Sequence, residues 1–216
     1  MIKRLIILTL LACSLMLIPS GIIYASTYTF NPVDSSGNTI DMLDLDHSYY
    51  YSWAIIFDIP SGETITGATL TFTDIYDWIV EPNDTLTTYL VDTPPTNGTQ
   101  VSYNLWSVLD KQSTNLDYLN GLEYEYVGTW TDPAGGSPST FDLTYDFLSL
   151  GLLDELTLYA ENGDIFGFII DPDCHYYNNG ITLTINTTPV PEPSTLLLLG
   201  TGLVGVGVYR WRRMRK

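Results

Sequence analysis

Between Thr27 and Pro189 the sequence holds one basic side chain, Lys111, against 24 of the chain's 25 aspartates and glutamates. With both histidines neutral, this segment carries a net charge of −23. Phosphate groups cannot approach such a surface without cations to neutralise them, so nucleic acid is excluded as a partner and anionic lipid headgroups as a docking surface for the segment. Cysteine is nearly as scarce, with Cys13 and Cys174 the only two. Once a leader carrying Cys13 is removed, no disulfide within the chain can form, which excludes a disulfide-stapled domain. Histidine is limited to His47 and His175. With two imidazoles in all and no nucleophile motif around any serine, hydroxyl-nucleophile catalysis has no support, and no catalytic residue is assigned.

Basic residues are instead concentrated at the two ends. Lys3 and Arg4 precede an apolar run from Leu5 to Ile18, and PSGIIYAS follows with small Ala25 and Ser26 as a cleavage point. This pattern predicts a secretory signal peptide over residues 1–26, read by the Sec export machinery. The alternatives are an uncleaved anchor, against which the break at Pro19 to Gly21 argues, and a lipoprotein box at LLAC, which comes too early in the run.

Residues 27–189 are enough for one domain with a single core. The chain as a whole is 45% apolar and 13% aromatic, too high for the disorder that strong acidity alone suggests. Apolar and polar residues alternate along this segment: Tyr51, Trp53, Ile55, Phe57 and Ile59; Ala68, Leu70 and Phe72 between threonines; Tyr124, Tyr126 and Trp130; Phe141, Leu143, Tyr145 and Phe147; Ile181, Leu183 and Ile185. A period of two denotes half-buried strands. Breakers such as Pro60-Ser61-Gly62 and Pro133-Ala134-Gly135-Gly136 separate them. The expected fold class is all-β, a two-sheet antiparallel sandwich of jelly-roll type. Leu152, Leu153, Leu156 and Tyr159 recur at helical spacing before Asn162-Gly163, which predicts one short helix.

The closing residues, 190–216, combine Pro191-Glu192-Pro193, an uncharged stretch from Ser194 to Tyr209, and Arg210, Arg212, Arg213, Arg215 and Lys216. Sixteen residues of helix reach about 24 Å, short of a hydrocarbon core of about 30 Å. Trp211 and the arginines can extend that reach by anchoring at the interface and snorkelling. A transmembrane helix is therefore expected over 194–209, with the basic block on the cytoplasmic side. Both prolines fix φ and disfavour helix at the residue before them, so the triplet is held extended, as a protease or transpeptidase requires.

These three parts, in this order, resemble the PEP-CTERM sorting signal of exopolysaccharide-producing Gram-negative bacteria. The resemblance covers the last 27 residues. It implies an exosortase in the inner membrane that recognises Pro191-Glu192-Pro193 and cleaves nearby, delivering the body to the cell surface or the extracellular matrix. A permanent single-span anchor is the alternative, to which a short helix with four glycines is poorly suited.

In the body, IIDPDCHYYNNG (169–180) connects two strands that should pair and is longer than a hairpin needs. Asp171, Asp173 and Asn178 offer oxygen ligands suited to Ca²⁺; the other reading is a turn closed by Asx-type bonds. Cys174 and His175 are neighbours that should point apart, too few for zinc and without the positive charge that activates a thiol. Asp41, Asp44, Asp46 and His47 form a second acidic cluster, either a solvated loop or a structural calcium site. Glu123 and Glu125 share a strand face, a spacing that 24 acids produce by chance. Of Tyr49, Tyr50 and Tyr51, at least one ring must reach the surface. The body is thus expected to be a non-catalytic surface or matrix component, or alternatively a polysaccharide-binding module; a glycan-active enzyme would need two carboxylates facing each other across a groove.

Overall fold

The computed structural model describes residues 25–34, 38, 44–79, 81–96, 106–111, 118–132, 141–163, 165–190 and 195–215. The expected signal peptide, apart from its last two residues, lies outside this set, as do Asp41, Pro191, Glu192, Pro193 and Lys216. Ten strands are described: β1 (Ser26–Phe30), β2 (Tyr49–Ile56), β3 (Glu63–Asp77), β4 (Asp84–Val91), β5 (Trp106–Asp110), β6 (Tyr124–Asp132), β7 (Phe141–Asp146), β8 (Ile165–Pro172), β9 (Tyr176–Tyr177) and β10 (Ile181–Pro189). Three helices accompany them: α1 (Phe147–Leu150), α2 (Leu153–Gly163) and α3 (Thr195–Arg213).

One sheet has the order β1-β10-β3-β7, with β9 paired to the end of β3, and the other has the order β5-β2-β8-β4-β6. Every pairing is antiparallel. Setting β5 and β9 aside, the remaining eight strands form two sheets of four, and the chain changes sheet at every step except β4 to β6. This is the double Greek key of a jelly roll, as expected from the alternation and the breakers.

The period of two explains the inner faces. Leu183 pairs with Leu70 and Ile181 with Phe72, all buried, while Thr184–Thr69 and Thr182–Thr71 alternate with them on the outer face. β2 and β8 are buried on both faces. Tyr51, Trp53 and Ile55 face the main core, whereas Tyr50, Val91 and Ile169 form a second apolar layer on the outer side, covered by Tyr89, Leu109, Tyr118, Leu119 and Leu122. Trp53, Phe72, Phe166 and Phe168 lie at the centre of the main core with no exposed surface. Each such side chain contributes about 1.5–3 kcal/mol relative to an exposed one.

The expected helix is α2, with Leu156, Tyr159 and Ala160 buried against the core. It is entered through α1, where the Asp146 carboxylate accepts from the Ser149 N–H at 2.7 Å. Gly151 closes that turn with φ of 73°, its N–H donating to the Leu148 carbonyl. Phe147, expected as the last strand residue of its series, opens α1 and remains fully buried.

In β6 the structure departs from the expected single face. The register shifts between Thr88 and Tyr89 opposite Val127, which is the extra residue of a bulge. Tyr124 and Tyr126, before the bulge, are 43% and 55% exposed. Trp130, after it, packs against the core. A bulge adds one residue to a period of two and so exchanges the faces. Val127 is itself buried in the core, and Gly128 follows it inward, where a Cβ would stand 2.5 Å from the Tyr145 ring.

The position expected to form a transmembrane helix is occupied by α3, which is 19 residues long but does not keep an apolar character over that length. No helix among the described residues is long and apolar enough to cross a membrane. Glycines dilute the apolar stretch, and Arg210, Arg212 and Arg213 fill the last turn. The Arg215 guanidinium lies 4.0 Å over the Trp211 ring.

The tightest backbone approach in the sandwich is at Gly167, where a Cβ would stand 1.8 Å from the Trp53 carbonyl oxygen. Gly167→Ala must push β8 from β2 at the centre of the sheet, and a loss of about 2 kcal/mol or more is expected. Urea unfolding measures it; a midpoint equal to wild type would show that the two strands can part without cost.

Candidate functional site

Three loops meet at one end of the sandwich. The segment after β8 crosses the end as β9, where Tyr177 pairs with Tyr76 and Tyr176 with Asp77. On its other side Tyr176 bridges Leu45, with N–H···O bonds of 2.9 and 3.1 Å exchanged between the two residues. Residues 44–48, 77–79, 81–85 and 171–180 are thereby brought side by side.

The three expected calcium ligands each have partners of their own. Asp171 forms an ion pair with Lys111 and accepts a hydrogen bond from the Tyr118 hydroxyl. The one cation between the termini is thus committed, and its ammonium also donates to the Pro172 carbonyl. Asp173 accepts from the Thr85 hydroxyl at 2.7 Å, from the Thr85 N–H, and from the Tyr176 hydroxyl at 3.3 Å. Asn178 is buried and closes its own turn, accepting from the Gly180 N–H at 2.9 Å. This last is the Asx geometry that the composition of the loop suggests.

Cys174 and His175 point apart. The Cys174 thiol is buried, 3.7 Å from the Asp77 carboxylate. Burial, then the neighbouring Asp84 carboxylate, push it up to about 12, so it carries no thiolate at neutral pH. Asp77 is fully buried, with one oxygen accepting from the Ile79 N–H at 2.8 Å. Its carboxyl is pushed up to about 6, above all by burial and further by Asp84 beside it.

His175 turns the other way. Its Nδ1 lies 3.2 and 3.3 Å from the two oxygens of Asp44. Its ring is 5.2 Å from Trp78 and meets the His47 ring edge-on at 5.0 Å. The ligand atoms of Asp46, His47 and His175 lie within 4.8 Å of one another. Burial acts to raise the Asp46 carboxyl, but the Ser48 hydrogen bonds and the two histidines outweigh it and hold the group below its ordinary value. Sequence reasoning treats His47 and His175 as members of separate clusters, because nothing local shows that Leu45 and Tyr176 are bridged.

A second feature lies on the outer face of the β4–β6 pair. Tyr89 is the hub, with Tyr124 and Tyr126 edge-on to it at 5.6 and 6.1 Å. Tyr50 and Tyr118 stack at 4.7 Å in the adjacent layer. Of the three consecutive tyrosines, Tyr49 is the one that reaches the surface, 37% exposed, while Tyr50 and Tyr51 are buried.

The sign of the Asp77 perturbation fixes a pH dependence. Its folded value of about 6 lies above the ordinary 3.8, so the folded state binds the proton more tightly than the unfolded chain. The stability this contributes is fully present below pH 3.8 and is lost as pH rises through about 6. The Asp77→Asn variant cannot ionise, and relative to it wild type should lose on the order of 2 kcal/mol between pH 4 and 7. Urea titrations of both proteins across that range measure the difference; parallel profiles would count against it.

Residues 189–213 match the PEP-CTERM protein-sorting motif. No curated protein matches the chain. Among solved structures, one similar chain is latent aurone synthase, a polyphenol oxidase from natural source, with a TM-score of 0.36 and 11% identity over 74% of this chain. The match spans 28% of that enzyme, and at that score it bears on neither fold nor function. The arginines of α3 fall inside the matched segment, as do Pro191, Glu192 and Pro193. The chain therefore carries a PEP-CTERM protein-sorting motif, which implies export, exosortase-dependent processing and membrane-associated sorting toward the cell surface.

Proposed function

We propose that the protein is a non-catalytic component of the cell surface or extracellular matrix, held at the inner membrane as a precursor until an exosortase cuts near Pro193. The carrying observation is the sorting motif at residues 189–213, placed behind a body whose charge is opposite to that of the tail. Arginines resist transfer outward, and the compact acidic body cannot be drawn inward, so the triplet between them stays at the outward face of the inner membrane. The uncharged part of α3 is a short tether that depends on its Trp211 and arginine anchors. Such a tether suits a processing intermediate better than a permanent span. Mass spectrometry of the protein from its native host should find a C-terminus near Pro193, with Arg210 to Lys216 missing. A mature chain ending at Lys216 overturns the reading.

A second reading, a polysaccharide-binding module, is favoured by the tyrosines on the β4–β6 face. Exposed rings supply flat, amphipathic contact area with hydroxyls free to bond. A neutral polymer is a partner that the acidic surface does not repel. In affinity electrophoresis against neutral exopolysaccharide, the protein should be retarded. A Tyr124→Ala/Tyr126→Ala variant should lose at least tenfold in affinity with its melting temperature unchanged. Absence of retardation for wild type removes this reading and leaves the first intact.

A further inference from the structure

We propose that Asp46, His47 and His175 bind a divalent first-row transition-metal ion of the Zn²⁺ class, clipping the loop before β2 to the loop after β8. This site is independent of the sorting function. Two imidazoles and one carboxylate form a donor set that suits zinc and its neighbours rather than calcium, which takes oxygen ligands alone. Bonds of about 2.0–2.1 Å place tetrahedral ligand atoms roughly 3.3 Å apart. A cluster already within 4.8 Å closes to that spacing by small side-chain rotations. His47 is exposed and has room to make them.

The surroundings prepare the ligands in three ways. The Leu45–Tyr176 bridge clamps the two backbones directly beside the donors, Asp46 and His47 following Leu45 and His175 preceding Tyr176. Asp44 engages His175 at Nδ1, which leaves Nε2 for the ion and orients the ring. That carboxylate–histidine pairing is the usual support of a metal-bound imidazole. Ser48 donates its N–H to one Asp46 oxygen at 2.7 Å and its side chain bonds the same carboxylate, which fixes the orientation of that group. The strong negative charge of the body raises the local concentration of cations around the site. Three protein ligands leave the fourth position to water.

The full chain, purified without a polyhistidine tag, is titrated with ZnCl₂ by calorimetry, with CoCl₂ by visible absorption, and with CaCl₂ as control. One Zn²⁺ should bind per chain with micromolar affinity, Co²⁺ should give the intense bands of a four-coordinate site, and Ca²⁺ should give no competing signal. Trp78 fluorescence should respond to the ion, since its ring is 5.2 Å from that of His175. His47→Ala and His175→Ala should each weaken binding at least tenfold, Asp44→Asn about tenfold, and Cys174→Ser not at all. Circular dichroism of each variant separates ligand loss from unfolding. Absence of Zn²⁺ heat and Co²⁺ bands in wild type overturns the proposal, as does retention of wild-type affinity in a folded His47→Ala/His175→Ala double variant.

Discussion

Burial of the aromatic and aliphatic layer between the two sheets holds this molecule together against its own charge. A body with 24 carboxylates and one ammonium repels itself, and a surface of that kind offers almost no attractive ion pairs in return. The cost is spread thinly, because most acids lie on loops and outer faces where water screens them. The gain is concentrated in side chains such as Trp53, Phe72, Phe166 and Phe168, which have no contact with solvent. Lys111 is placed where it counts most, on Asp171 at the end of β8, a strand apolar on both faces.

Patterns that depend on neighbours in sequence were legible. The threonine-spaced strands β3 and β10 show their inward residues directly, and the leucine spacing of α2 announces its buried face. The jelly-roll class follows from many short strands and the breakers between them. What escaped was whatever depends on a partner strand. Val127 gives no local sign that it is a bulge, yet it sends Trp130 inward and leaves Tyr126 outside. Asp44 and His175 are 131 residues apart, and only the wrapping of the chain joins them. The sequence likewise shows that Asp171, Asp173 and Asn178 are close along the chain but not which partners each one meets. Folding turns Asp171 toward Lys111, Asp173 toward Thr85, and Asn178 into its own turn.

Reactivity is suppressed at this end of the sandwich by the same physics. Cys174 sits among carboxylates with no cation described beside it, so its sulfur stays protonated and behaves as a small apolar group. Asp77 gives up its proton only as pH rises through about 6, later than an ordinary carboxyl, because ionisation leaves a charge in a buried place. The imidazoles, by contrast, lie nearer the surface, and the opposite directions taken by Cys174 and His175 just before β9 divide an inert interior from a chemically available rim.

The pairing of β1 with β10 has a mechanical consequence. Ser26 stands opposite Thr187, so the chain enters and leaves the domain at the same end of one sheet, and β10 is laced to β1 on one side and β3 on the other. Tension applied through Pro189 while the far end of the sandwich is held runs along the strand axis and shears both ladders at once, loading their hydrogen bonds in parallel. A domain hung by this strand resists pulling far better than one whose terminal strand could be unzipped bond by bond.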